Sequence, residues 1–265
     1  MHACSLLPEL KTRFDTYVNR FIPEDPLVQQ NFDLKIKHTQ RVCEIIKDIG
    51  TSENLSGEDL CIAEIAARLH DIGRFEQYLK YRTFVDALSV DHAALGVKVI
   101  RAEHLLEDLE TTQADMIQRV VQYHNRAKLP ANEDKRCLFF LKLVRDADKI
   151  DIWHVVTQYY QNAGGSRNPG IELDLPDTPS ISDGPYEALM AGKLVQMSQL
   201  STLNDFKLLQ LGWIYDLNFA RTFQIVRERN YLEKIQRALP HKSRRVAQIM
   251  KRVQTYLDDA CLKFS

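Results

Sequence analysis

Apolar residues recur every three or four positions along most of this chain, and strict alternation is nearly absent. Three-to-four spacing places apolar side chains on one face of a helix, whereas alternation would serve a strand. The pattern predicts an all-α chain with helices near 6–20, 27–48, 58–72, 91–107, 112–125, 134–160, 184–195, 204–228, 230–238 and 241–262. Start signals accompany several of them: Ser56 precedes Glu58 and Asp59, Asp91 precedes His92, and Pro240 stands before the last helix. The segment 162–184, NAGGSRNPGIELDLPDTPSISDG, breaks the periodicity with glycine and proline and reads as a long loop. Loops of this kind either cover a site or are disordered excursions, and both readings stay open. No repeat, low-complexity tract or composition shift marks a boundary, so residues 1–265 are expected to form a single all-α domain.

Composition narrows the function classes. A hydrophobic content of 45% is ample for a packed core, and a net charge of −1 leaves no basic footprint for nucleic acid. The N-terminal run MHACSLLPELKTRF is too short and too soon interrupted by charge for a signal peptide, and no stretch of about 18 apolar residues is present. Neither a membrane nor a nucleic-acid partner is therefore expected. Homo-oligomerisation is left open. The five cysteines, Cys4, Cys43, Cys61, Cys137 and Cys261, are scattered and odd in number, without a CxxC pair. They read as reduced thiols in a cytoplasmic protein.

Several predicted helices direct a polar residue into their apolar stripe. His38 lies on the face of Leu34, Val42, Ile45 and Ile49. Ala63, Ala66 and Ala67 lead to His70 and its neighbour Asp71; His92 precedes Leu95 and Val99; Ile117 and Val120 lead to His124. Asp148 shares a face with Leu141, Val144, Ile152 and Val155, while Asp146 falls with Lys142 and Lys149 and is expected to be more exposed. One such histidine is ordinarily a hydrogen-bonded core residue. Four histidines and two aspartates buried without partners would be prohibitively costly. A bound cation removes that cost by taking imidazole nitrogen and carboxylate oxygen as ligands. Six ligands exceed the four usual for a structural zinc. They suit two ions sharing the two oxygens of Asp71, about 3.5–4 Å apart.

The segments KIKHTQRV, ARLHDIGRF, DHAALGVKVI, VVQYHN and RDADKID, in that order, resemble the HD-domain metal-dependent phosphohydrolase superfamily. The histidines at 92 and 124 are similar to those of its binuclear branch. The resemblance covers about 38–152 and implies an HD-type helical bundle with a motif core near 27–160. Additional helices, near 184–262, would pack on that core. It implies that His38, His70, Asp71 and Asp148 hold one divalent metal, and that His92, His124 and bridging Asp71 hold a second. Iron and manganese come first, with nickel, cobalt and zinc open.

The implied reaction is hydrolysis of a phosphomonoester or phosphodiester, of a nucleotide or another small phosphate ester. Two divalent ions acidify a shared water and neutralise phosphate oxygens, with Asp71 as the catalytic bridging group. Arg74 and Lys149 are the expected phosphate-binding cations, and Arg126 is a weaker candidate. Gln77, Tyr78 and Tyr81 serve either the pocket or the packing. His104 and His154 read as structural or exposed, and His2 and His241 carry no assigned role. Trp213 and Tyr215, within LLQLGWIYDLNFARTF, read as packing residues of a buried helix. Neither GxxxxGK[ST] nor GxGxxG occurs, which argues against ATP-driven chemistry and a Rossmann cofactor. Two other readings share the ligand set: a mixed-valent di-iron oxygenase, and a nucleotide-binding regulator without turnover.

Overall fold

The computed structural model describes residues 2–21, 25–162 and 168–263, and among them every regular element is helical. They group into two compact units, Met1–Asp148 and Lys149–Ser265. The division between the units falls inside a continuous helix, 135–161, where no linker composition marks it.

The first unit contains α1 (Ala3–Asn19), α2 (Pro26–Ser52), α3 (Gly57–Leu69), α4 (Gly73–Tyr81), α5 (His92–Ala102), α6 (Thr111–Tyr123) and the first half of α7 (Lys135–Gln161). Helix α3 packs against α1, α2 and α6, and α5 packs against α4 and α6. Its core joins Leu6, Leu10 and Phe14 of α1 to Ile46 and Ile49 of α2 and Ile62, Ile65 and Leu69 of α3, all buried. Ser56 starts α3 by accepting from Asp59 N at 3.1 Å. Asp91 starts α5 by accepting from Ala93 N and Ala94 N. Each cap satisfies amides that the first turn leaves without partners.

The helix predicted over 58–72 ends earlier, at Leu69, and the chain turns through His70, Asp71 and Ile72 into α4, which periodicity did not resolve. Gly73 opens α4 where the chain passes closest to α5. A Cβ there would collide with the His92 carbonyl oxygen and lie 2.6 Å from Gly96 N. The helix predicted over 91–107 stops at Ala102, and His104 adopts a left-handed conformation with φ of 52°. Leu105, Leu106 and Leu109 beyond it are still buried, so apolar spacing outlasted the helix.

One expectation about cysteine is corrected. Cys4 of α1 and Cys61 of α3 form a disulfide with a Cα–Cα distance of 5.1 Å. The two lie 57 residues apart and meet through the packing of α1 on α3, which an odd cysteine count does not reveal. Cys43, Cys137 and Cys261 are buried thiols.

The second unit holds the rest of α7, the short α8 (Pro169–Glu172), α9 (Asp183–Met190), α10 (Leu203–Gly212), α11 (Ala220–Glu228), α12 (Tyr231–Arg237) and α13 (Arg244–Lys263). Trp153 is fully buried, donates from Nε1 to Gln210 O at 3.0 Å, and lies beside the Trp213 and Tyr231 rings. Helix α13 lays Val246, Ile249, Met250, Val253 and Leu257 inward at helical spacing. The single helix predicted over 204–228 is instead α10, a tight turn at Trp213–Asp216, and α11. Leu217 and Phe219 are extended and buried, so the apolar run continues through a break in the helix. In the predicted loop, residues 163–167 lie outside the described residues. The remainder is tied to the start of α10 by Leu203 N to Pro176 O at 2.9 Å and Asn204 Nδ2 to Thr178 O at 2.7 Å. Among the described residues no helix is long and apolar enough to cross a membrane.

Candidate metal centre

The six candidate ligands meet within the first unit. His38 projects from α2, His70 and Asp71 from the turn after α3, His92 from the first position of α5, His124 from the residue after α6, and Asp148 from α7. Three of the five segments deliver their residues at or beside a helix end, where the backbone is free to change direction, while His38 and Asp148 project from mid-helix. His38, His70, Asp71, His92 and His124 are buried, and Asp148 is partly exposed.

Asp71 divides the centre. Its Oδ2 lies 3.5 Å from His38 Nε2 and 3.7 Å from His70 Nε2, and Asp148 Oδ1 lies 3.2 and 3.8 Å from the same two nitrogens. Its Oδ1 lies 3.3 Å from His92 Nε2 and 3.7 Å from His124 Nε2. Each set, His38–His70–Asp71 and Asp71–His92–His124, offers ligand atoms within 4.8 Å of one another.

Hydrogen bonding behind the rings fixes which nitrogen faces inward. His70 Nδ1 donates to Ala67 O and His124 Nδ1 to Val121 O, each at 2.6 Å. His92 Nδ1 donates to Asp86 Oδ2 at 2.7 Å. Carbonyl and carboxylate oxygens only accept, so the neutral rings keep a lone pair on Nε2. His92 Nε2 and His124 Nε2 then face each other at 3.1 Å as two acceptors, and His70 Nε2 lies 3.2 Å from His38 Nε2. The two acceptors of the His92–His124 pair repel at that distance unless a cation or proton lies between them. The donor set therefore fits divalent cations, on both sides of Asp71.

The electrostatics prepare the same state. Burial above all pushes the His70 imidazole down to about 4, partly offset by Asp71 and Asp148. Burial and then the Arg74 charge push His92 down to about 4 as well, against the hydrogen bond that its Nδ1 donates to Asp86. Burial alone would raise the Asp71 carboxyl, but Lys35, His70, His124 and Arg74 hold it well below the carboxylate range. The Asp148 carboxyl is likewise held low, mainly by His38 and His70 against its burial. Neutral imidazoles and ionised carboxylates are the forms that ligate metals.

Metal-free protein should accordingly lose stability in mild acid. The unfolded chain takes up protons at histidine near 6.5, while folded His70 and His92 resist until about 4. Stability present above about 6.5 is thus lost as pH falls toward 4. Urea midpoints of apo protein should drop between about pH 7 and pH 5. A midpoint that holds or rises contradicts the buried neutral rings.

Residues 36–153 match the family model of the HD domain, so the likeness to the HD-domain superfamily holds over that segment. The matched segment contains all six candidate ligands and agrees with the span expected from the motifs. No curated protein and no solved structure matches the chain.

Other sequence expectations meet mixed outcomes. Arg74 Nε reaches Asp71 Oδ1 at 3.4 Å, but its NH1 is bound by Gln77 Oε1, Phe84 O and Asp86 Oδ1 at 2.9, 2.6 and 3.0 Å. Gln77 is therefore part of this web, donating to Asp86, Ser89 and Val90. Lys149 is engaged by Asp216 at 2.9 Å within the second unit. Arg126 pairs with Asp91 at 2.9 Å. His104 is an exposed residue paired with Glu107. Asp146, expected to be exposed, is fully buried at 0%. Helix α7 buries Arg145, Asp146, Lys149 and Asp151 together, so charge does not mark a solvent face there.

Two residues beside the ligands escaped the sequence reading. Asp86 sits on a short 3-10 turn, Asp86–Leu88, where no periodicity could flag it. It receives His92 Nδ1, Arg74, Gln77 and Asn125, the last at 3.2 Å. His92, then Arg74 and Gln77, hold its carboxyl far below the ordinary range despite its burial. A carboxylate behind a metal-binding imidazole fixes the ring and its tautomer. Asp86→Asn should weaken metal retention about 10–100-fold. Equilibrium dialysis checks this, and unchanged retention removes Asp86 from the centre. Lys35, one turn before His38, places Nζ 2.6 Å from Asp71 Oδ2. Its i, i+3 spacing from a ligand was the available signal.

Proposed function

We propose that the protein is a metal-dependent phosphohydrolase acting on a phosphomonoester or phosphodiester, of a nucleotide or another small phosphate ester. The observation that carries this reading is Asp71, with each oxygen facing its own pair of imidazole Nε2 atoms. His38, His70, Asp71 and Asp148 would hold one divalent cation, and Asp71, His92 and His124 the other, with iron or manganese the leading candidates. Such a pair, when bound, acidifies water and neutralises phosphate oxygens.

The chain's own residues do the rest. Asp86 holds the His92 ring in one tautomer, and the Ala67 and Val121 carbonyls do so for His70 and His124. Burial of the four imidazoles limits competing water and strengthens every charge at the site. Arg74, already at Asp71 and Asp86, offers the guanidinium for phosphate oxygens. Lys149 is left out of this reading because Asp216 engages its ammonium. Hydrolysis adds hydroxyl to phosphorus and returns a proton to the departing ester oxygen. No serine or cysteine nucleophile is required.

The test is anaerobic release of phosphate by manganese-loaded protein from a panel of mononucleotides, cyclic dinucleotides, dinucleoside polyphosphates and simple phosphate esters. Release without oxygen supports the reading. Dependence on iron together with oxygen consumption replaces it with the oxygenase, and tight nucleotide binding without turnover replaces it with the regulator.

A further inference from the structure

Lys35 stands where an ordinary structural lysine would not. Its ammonium is 2.6 Å from Asp71 Oδ2, the oxygen that also faces His38 and His70, and only 16% of its side chain is exposed. Its Nζ lies 5.4 Å from the centre of the Phe84 ring, and the Arg74 guanidinium carbon lies 5.9 Å from the same ring. Arg74 in turn reaches the other oxygen of Asp71. Two cations from separate helices thus flank one half-exposed aromatic ring and converge on the carboxylate that separates the two sets of imidazoles.

A carboxylate engaged by divalent cations has less negative charge left for an ammonium. Lys35 would then be a mostly buried cation short of its partner, which is costly. Its four-carbon stem lets the ammonium turn to another anion without moving α2. A bound ligand bearing negative charge is what would re-pair it.

Charge balance specifies that ligand. Asp71, Asp86 and Asp148 bring three negative charges, and Lys35 and Arg74 bring two positive ones. With neutral imidazoles the chain supplies one net negative charge, which two divalent cations would convert to three positive. A phosphomonoester dianion removes two of these, and a phosphodiester monoanion removes one. Residual charge in a low-dielectric site is expensive, so the dianion is the better fit. Resting on the phosphohydrolase reading above, we propose that Lys35 pairs with a phosphate oxygen of the substrate, together with Arg74, and that this pair selects phosphomonoesters over phosphodiesters.

The experiment compares wild type with Lys35→Met and Lys35→Arg. Metal content is measured first, then calorimetric binding of inorganic phosphate to metal-loaded protein. Turnover is measured last, on nitrophenyl phosphate and the bis(nitrophenyl) diester. Lys35→Met should keep its metal content and bind phosphate about 10–100-fold more weakly, the range for a lost charge-assisted hydrogen bond. Its kcat/KM should fall about 10–100-fold on the monoester and much less on the diester, with Lys35→Arg recovering part of the loss. Three results overturn the proposal: phosphate affinity unchanged in Lys35→Met, metal content lost with Lys35, or equal losses on both esters. Phosphate binding reads Lys35 even if neither ester is turned over. That outcome would sink the phosphohydrolase reading while leaving the role of Lys35 decided by affinity.

Discussion

Asp71→Ala is expected to abolish phosphate release, lowering it by at least about 10³-fold, and to strip most of the bound metal. The size of the effect follows from position. Among the described residues, Asp71 is the one side chain whose two oxygens face both sets of imidazoles, so its loss would damage both candidate cation sites together. Asp71→Asn, of nearly equal volume, separates this loss from misfolding: it should fold, keep its helical signal, and still fail to retain metal. Phosphatase activity that persists in Asp71→Ala would remove the metal-centred account. Asp146 is the contrasting carboxylate. Because it is fully buried, its substitution should show in the urea midpoint, whereas substitution of Asp148 should show in metal content.

The second large effect concerns Gly73. An alanine there would drive its Cβ into the backbone of His92 and Gly96, which cannot step aside as a side-chain tip can. Helices α4 and α5 would have to separate, at a cost of about 3 kcal/mol or more, the upper end for overpacking. His92 opens α5, so its ring should shift out of register with His124 and metal should be lost from that side. Gly57→Ala is the control, since nothing lies within 4 Å of a Cβ there. Its urea midpoint should stay near wild type, within about 0.5 kcal/mol. Equal stability of the two variants would contradict the close crossing of α4 and α5.

The convergence of the six candidate ligands was legible because each lies on or just beyond an apolar helical stripe, so His38, His124 and Asp148 declared their direction by spacing alone. The parts that spacing missed are those without a helical period. Asp86 lies on a single 3-10 turn, and the redirection at 70–72 joins two helices that read as one helix and a tail. Helix α7 misled for the opposite reason. With Arg145, Asp146, Lys149 and Asp151 all buried, it has no charged outer face from which to infer an inner one. The split of 204–228 failed similarly, because Leu217 and Phe219 are buried without being helical. The Cys4–Cys61 bridge depends on α1 meeting α3, a tertiary fact that composition does not hold.

The most direct measurement is elemental analysis of manganese- or iron-loaded protein, after removal of loosely held ions, for wild type, His92→Ala and Asp71→Ala. Two cation sites sharing one carboxylate predict about two ions per chain, about one, and nearly none, in that order. Equal metal content in wild type and Asp71→Ala, or no uptake by wild type, would contradict the account.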